Sequence, residues 1–452
     1  MINLGKMTKF YRNQPIRSEA LSSGGLDRGG ELTEVPSYLL SKKIDFPYKK
    51  RGNLKKEMLF ADHFTVVRLL GGINDKNILL DNEKNHKLDL IYRDEHGKMQ
   101  YRWELLERLR PFVEIYGREF TLVLDNMPWD LPKEPTLDVY GQVNPPADYN
   151  VWREFIEAFA QELIRRFGFE TVNAWRFRLA TEGRINLDTE GFCRHYDITT
   201  GIIKKALPGA KFTPYNMCRL HEAEHFHINY YEVAKHCSSG KNYFTSQTGS
   251  PLDFTCVSLY SFPNLDDKGK INPWTVSPLE RTIKDYHDFW KRIADIAPAY
   301  NDIPREIQEL GILNNEYGFY SAEQGARRAA WLFQLLFNMK QYNNIARSWH
   351  WYITDVIDVP NKKPEKQHRI LMANGWLFSI LEYTNGSDMY VLDMDVPKNN
   401  DQNMLFKAVG FIRAENGSSF IIISAFNNDR DQFFEGDITV KLPRELLFQF
   451  QS

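Results

Sequence analysis

Two glutamates in this chain stand where paired carboxylates could do chemistry. Glu182 closes the stretch "AWRFRLATE" and Glu316 closes "EIQELGILNNE", each ending a segment that reads as a strand. Facing carboxylates suit glycoside hydrolysis, one protonating the leaving oxygen and the other attacking the anomeric carbon. A second constellation competes. "RLHEAEHFH", residues 219–227, contains His221-Glu222-Ala223-Glu224-His225, the H-E-x-x-H spacing that on a helix turns two imidazoles toward one zinc, with Glu222 as base. A zinc hydrolase would need that helix and a third ligand, for which Glu232 or His236 could serve. The pentapeptide follows the strand "AKFTPYN" directly, so it begins in a loop. The expectation is therefore no metal site and no cofactor. Arg219 and His221 are expected in a substrate-contacting wall, with a solvated helix start as the alternative.

These groups need a scaffold. From about Phe60 the chain alternates strand and helix. "HFTVVRLLGG" and "EFTLVLDNMP" read as strands, and "DYNVWREFIEAFAQELIRRFG" as an amphipathic helix whose stripe is Trp152, Phe155, Ile156, Phe159, Leu163 and Phe167, closed by Gly168. Helices "GFCRHYDITTGIIKKAL", "NYYEVAKHC", "LERTIKDYHDFWKRIADI" and "AEQGARRAAWLFQLLFNMKQY" each precede a strand. About eight such units close naturally into a (β/α)8 TIM barrel, an α/β fold whose chemistry sits at the C-terminal strand ends. Glu182 and Glu316 then end strands four and seven. After about Asn385 the pattern becomes strands joined by Asn-Gly and Asp-containing turns, a small antiparallel β-sandwich-like domain. The expected division is 1–50 as an N-terminal segment adding strands to the β domain, 51–384 as the barrel, and 385–452 as the β domain.

Composition narrows the partners. Charged residues make up 26% and the formal charge is −2, which gives no electrostatic reason to expect nucleic acid or an anionic membrane. No apolar run has the length of a membrane span. The N-terminus lacks the apolar core of a signal peptide, consistent with a cytoplasmic protein or with a processed form. The four cysteines, Cys193, Cys218, Cys237 and Cys256, form no C-x-x-C pair and read as buried thiols.

Residues 149–263 resemble the retaining glycoside hydrolases of family 39 in clan A, the group of β-xylosidases and α-L-iduronidases. In that family a helix Y-x-x-W-x-x-F ending in L-x-x-R-[YF]-G leads into W-x-F-E-x-W-N-E-P. Here Tyr149, Trp152, Phe155 and "LIRRFG" lead into "WRFRLATEG". "VVRLLGGINDKN" and "LDNMPWDLP" are similar to the family's second and third strand ends. "ILNNEYG" is taken to stand where I-T-E-W carries the nucleophile, and "RSWHWYITD" where the eighth strand has Y-W-x-F-S-D. The likeness spans about residues 60–380. It implies a carbohydrate substrate, Glu182 as general acid/base, Glu316 as nucleophile with Asn315 beside it, and Tyr260 as the sixth-strand tyrosine that hydrogen-bonds the nucleophile.

The departures bear on specificity. The Asn before the acid/base is Thr181, the Pro after it is Gly183, the sixth-strand His is Ser258 and the second-strand His is Leu70. A site that loses amide and imidazole donors cannot read the same hydroxyl pattern. Arg68, Arg184, Arg219 and Arg347 gather near the expected mouth, and guanidinium forks suit carboxylates or sulfates. The expected substrate is therefore an acidic, sulfated or otherwise unusual sugar, unless those arginines pair with the chain's own acids. Trp129, Trp349 and Trp351 are candidate stacking walls, with core filling as the competing role. Beside the hydrolase stand two other functions: a catalytically inactive glycan-binding barrel, and the zinc hydrolase on His221 and His225.

Overall fold

The computed structural model describes residues 4–10, 22–23, 66–68, 70–72, 89–110, 113, 121–138, 141–261, 263–265, 271–276, 279–312, 329–335, 338, 345–350, 356–359, 368–371, 377, 388–395, 404–412, 419–427 and 439–440. Eight parallel strands form one sheet: β2 (Ser22–Ser23), β3 (Val66–Arg68), β4 (Thr121–Val123), β5 (Arg176–Ala180), β6 (Lys211–Met217), β7 (Thr255–Ser261), β8 (Arg305–Ile312) and β9 (Ile345–His350). Their spatial order is β2-β9-β8-β7-β6-β5-β4-β3, the sequential order of a TIM barrel opened between its first two strands. Ser22–Ser23 thus belongs to this sheet, although it lies within the first fifty residues.

The helices form because their caps and stripes agree. Helix α1 (Tyr149–Phe167) starts where the Asp148 side chain accepts from Asn150 N, buries Trp152, Phe155, Ile156, Phe159 and Leu163, and stops at Gly168 with φ +84°. Helix α2 (Thr189–Ala206) is capped by Asp188, and α3 (Tyr230–Ser239) by Asn229, whose Oδ1 accepts from Tyr231 N and Glu232 N. Helix α4 (Leu279–Ile296) buries Tyr286, Phe289 and Trp290. On β5, Phe177 and Leu179 join the apolar layer under these helices, while Arg176 and Arg178, on the opposite pleat, make polar contacts with β8.

The second unit is a single antiparallel sheet: β1 (Leu4–Phe10), β10 (Asp388–Asp395), β11 (Met404–Ile412) and β12 (Ser419–Asn427), in that order, with β13 (Thr439–Val440) also on β10. A second sheet that would make it a sandwich is not present among the described residues. Val409, Phe411 and Phe426 bury into the barrel's apolar core, and Gln334 Nε2 donates to Leu405 O at 2.7 Å across the junction. No described helix is long and apolar enough to cross a membrane.

Candidate active site

The site is built where β5, β6, β7 and β8 end. Strand β5 stops at Ala180, and Thr181, Glu182 and Gly183 make the turn beyond it. Glu182 has φ +49° and Gly183 φ +63°, so a glutamate occupies the left-handed region that normally favours glycine. Three contacts hold it there. Asp125 Oδ2 accepts from Thr181 N at 2.9 Å, Asn216 Oδ1 accepts from Glu182 N at 2.9 Å, and the Phe226 ring fills the space against Gly183, 2.7 Å from where a Cβ would sit. Such an enforced backbone is typical of functional turns.

Opposite this turn lies Glu309 on β8, with 2% of its surface exposed. It accepts from the Tyr260 hydroxyl at 2.8 Å and from Asn216 Nδ2 at 3.2 Å. Asn216 Nδ2 also donates to Ser258 Oγ at 2.6 Å. A bulge makes this seat. Val257 pairs with Ile307 and Ser258 with Glu309, so Gln308 is the extra residue, and both Gln308 and Glu309 can reach inward. Cys218, at the end of β6, feels both Glu182 and Glu309, and burial with those two charges pushes its thiol well above the usual range. The two carboxylates therefore share one neighbourhood.

Beneath them runs a buried polar chain. Arg178 donates to Gln308 Oε1 and, at 2.8 Å, to Thr181 Oγ1. Gln308 Nε2 donates to Glu306 Oε2 at 2.8 Å, and Arg176 lies 3.3 Å from the same carboxylate. Burial pushes Glu306 above the ordinary carboxylate range, against the pull of Arg176 and Gln308. Beside the site, a groove of about 280 Å³ is lined by Arg219, His221, Glu222, Tyr260, Arg281 and Asp285, among others.

The sequence expectations fare unevenly. Thr181, Glu182 and Tyr260 meet at the site, and Arg219 and His221 line the groove. Arg219 pairs with Glu222 at 3.2 Å and Arg184 with Asp138 at 3.5 Å. Trp129 is half-buried, its backbone N–H held by Asp89 at 2.8 Å. Asn315, Glu316 and Trp351 lie outside the described residues, as do the side chains of Arg68, Arg347 and Trp349. The H-E-x-x-H segment is a 3₁₀ turn at Leu220–Glu222 followed by turns and bends, and the α-helix begins only at Tyr230. Its two imidazoles are thus not one helical turn apart, and no metal-binding cluster occurs among the described residues. The segment instead braces the site, with Phe226 against Gly183 and His227 Nε2 3.2 Å from Ile185 O. Sequence reasoning missed Glu309, Asn216, Asp125 and Arg178. For Glu309 a signal existed: Ile307-Gln308-Glu309 fits the family's I-T-E better than "ILNNE" does.

Residues 88–369 match the family model for glycosyl hydrolases family 39. The chain belongs to this family. It is a glycoside hydrolase, and its barrel is of the TIM type. Solved structures similar to it include a monomeric β-xylosidase from Caulobacter crescentus (16% identity, 91% of this chain and 76% of that one, TM-score 0.53). A family 39 enzyme from Xanthomonas axonopodis pv. citri is 15% identical over 80% of this chain and 69% of that one, with TM-score 0.52. A glucosidase from Croceicoccus marinus is 13% identical over 93% and 77%, with TM-score 0.53. At these identities the likeness is one of fold. No curated protein sequence matches the chain.

Proposed function

We propose that this family 39 hydrolase cleaves its glycan by double displacement with retention, Glu182 acting as general acid/base and Glu309 as nucleophile. The observation that carries the assignment is the environment of Glu309: a buried carboxylate on the β8 bulge accepting from Tyr260 and Asn216. Hydrogen bonds to the charged form favour an ionised carboxylate, which a nucleophile needs. In the first step a Glu309 oxygen bonds to the anomeric carbon as the glycosidic C–O bond breaks, and Glu182 gives its proton to the leaving oxygen. In the second, Glu182 takes a proton from water, whose oxygen attacks the anomeric carbon and releases Glu309. Glu182 must start protonated, which burial beside a second carboxylate favours.

We further propose an acidic or sulfated sugar, its anion taken by Arg219 in exchange for Glu222, with Arg281 lining the same groove. Guanidinium groups bind such anions in a planar fork, and the rim ion pair is exposed enough to exchange.

The test is a panel of aryl xyloside, glucoside and uronide substrates followed by proton NMR of the first anomer released. Retention is expected, with the uronide preferred; release of the inverted anomer would remove the double-displacement assignment, and a preference for neutral glycosides would remove the acidic sugar. Glu182→Gln and Glu309→Gln should each lower kcat by a factor on the order of 10³ or more, while Glu316→Gln should leave it within about threefold. The opposite result for Glu309 and Glu316 would return the nucleophile to Glu316.

A further inference from the structure

The antiparallel sheet turns one face to the barrel, and three of the four rows that β11 and β12 lay across it are apolar. Leu405 pairs with Phe426, Val409 with Ile422 and Phe411 with Phe420, and all six side chains belong to the apolar core or pack against it. The fourth row is Lys407 opposite Ser424, and both are buried. The barrel answers the serine: Ser424 Oγ donates to Ala330 O at 3.2 Å, and Gln334 Nε2 lies 3.2 Å from the same hydroxyl. It answers the lysine less fully. Lys407 Nζ donates to Asn338 Oδ1, its one hydrogen-bond partner among the described residues, and no described carboxylate pairs with it.

An ammonium taken out of water is costly unless its charge and its three N–H groups find partners. Burial pulls this one from 10.5 down to about 8. Two of its N–H groups are left over, and it lines a cavity of about 200 Å³ between sheet and barrel, together with Gln334, Asn338, Leu392, Leu405 and Glu280, among others. Asn338 gives its carbonyl to Lys407, so its amide nitrogen is a further donor. The buried wall therefore offers a cation and N–H groups. Glu280, which is exposed, offers acceptors. A space of this size equals roughly six or seven waters and falls below the range of drug-sized sites. The complement is a small molecule with a carboxylate at one end and O–H groups at the other. A dianion such as sulfate suits it worse, since it brings no O–H group to Glu280 and a second charge that Glu280 repels.

We propose that this junction cavity is a second ligand site, taking a hydroxy acid no larger than a monosaccharide, its carboxylate on Lys407 and Asn338 and its hydroxyls toward Glu280. The site is separate from the ends of β5 to β8 and stands independently of the catalytic pair. Because sheet and barrel each supply a wall, the bound acid fastens the two units together.

The test is titration calorimetry on the full chain with four probes: gluconate, sorbitol with the same hydroxyls but no charge, acetate with the carboxylate alone, and sulfate. Gluconate should bind wild type at least tenfold tighter than the other three. Lys407→Met should weaken gluconate tenfold or more, the size of one lost hydrogen bond to a charged partner. Glu280→Ala should weaken gluconate about threefold and leave acetate unchanged. Turnover by Lys407→Met should stay within about twofold of wild type, and gluconate affinity should be the same in Glu182→Gln as in wild type. No binding of gluconate, equal affinity in wild type and Lys407→Met, or loss of binding in Glu182→Gln would overturn the proposal. Sulfate binding as tightly as gluconate would overturn the hydroxy acid. A buried lysine replaced by an apolar side chain of similar volume is commonly tolerated. Should Lys407→Met nevertheless fail to fold, wild type decides by acetic anhydride labelling and mass spectrometry: gluconate should slow acetylation of Lys407 at least fivefold and sorbitol should not. Equal labelling with and without gluconate would overturn it.

Discussion

Asn216 Nδ2 donates to Glu309 Oε1 at 3.2 Å, while its Oδ1 takes the backbone N–H of Glu182 at 2.9 Å. One amide on β6 therefore spans the two carboxylate-bearing elements and fixes their relation, using the two different ends of the group. Asn216→Asp keeps the shape and reverses this logic. Its carboxylate still accepts from Glu182 N but repels Glu309, which would have to gain a proton or move. The expected outcome is a fall in kcat of about 100-fold or more near neutral pH, with a smaller deficit in acid, where the new pair shares a proton. A pH–rate profile of the variant parallel to that of wild type would contradict this.

Tyr260 supplies the other hydrogen bond to Glu309, at 2.8 Å. Tyr260→Phe removes a donor to the charged form without opening a cavity. The acidic limb of kcat/KM should move to higher pH, and kcat should fall by about 10- to 100-fold. Both effects belong to Glu309. If only KM rises, the tyrosine serves substrate binding in the groove instead.

The parallel sheet and its helices were legible because apolar stripes, caps and glycine stops agreed along the chain, as at Asp148, Trp152 and Gly168. The seventh strand was not. "EIQELGILNNE" reads as one long strand ending at Glu316; the described strand there is Arg305–Ile312, and the inward carboxylate among its residues at the site is Glu309. The bulge that turns Glu309 inward leaves no mark in a period-two pattern, and neither does the partnership of Arg178 with Thr181 and Gln308, which joins residues 130 apart in sequence for the latter. "RLHEAEHFH" was readable from its place directly after a strand: a five-letter spacing implies one helical face only where the backbone is helical, and here it is a 3₁₀ turn.

That geometry makes a prediction of its own. His225→Ala should leave activity within about twofold, and dialysis against a strong chelator should leave it unchanged, because His221 and His225 do not share a helical face for a common ion. Stoichiometric zinc in the purified protein, lost together with activity, would reverse this.

Gly183 explains another departure from the family pattern. Its φ of +63° is inaccessible to proline, whose ring holds φ near −65°, so the family's Pro cannot be restored at this position. Gly183→Pro should therefore be destabilising by about 3 kcal/mol or more, and Gly183→Ala by roughly 1–2 kcal/mol, with the alanine Cβ forced against Phe226. Gly183→Ala/Phe226→Leu should recover part of the alanine loss by relieving the collision. Urea unfolding of the four proteins checks the order, and an unaffected proline variant would mean that the turn adopts a different backbone.

Asp89 ties together two loops at the strand ends. Its Oδ1 accepts from Gly72 N at 2.6 Å and its Oδ2 from Trp129 N at 2.8 Å, beyond β3 and β4 respectively. Burial pushes its carboxyl from 3.8 up to about 7, even though both backbone hydrogen bonds and Arg102 pull it down. Between these values the folded chain holds a proton that the unfolded chain releases. The sign follows from the proton count: this group's contribution is fully present below about pH 4 and is lost as pH rises through 7, a swing on the order of 4 kcal/mol. Asp89→Asn cannot ionise, so the stability of wild type minus that of the variant should fall steadily across pH 4.5, 6 and 7.5 in urea melts. A constant difference across that window would mean that the carboxyl ionises below it, with the two backbone donors outweighing burial.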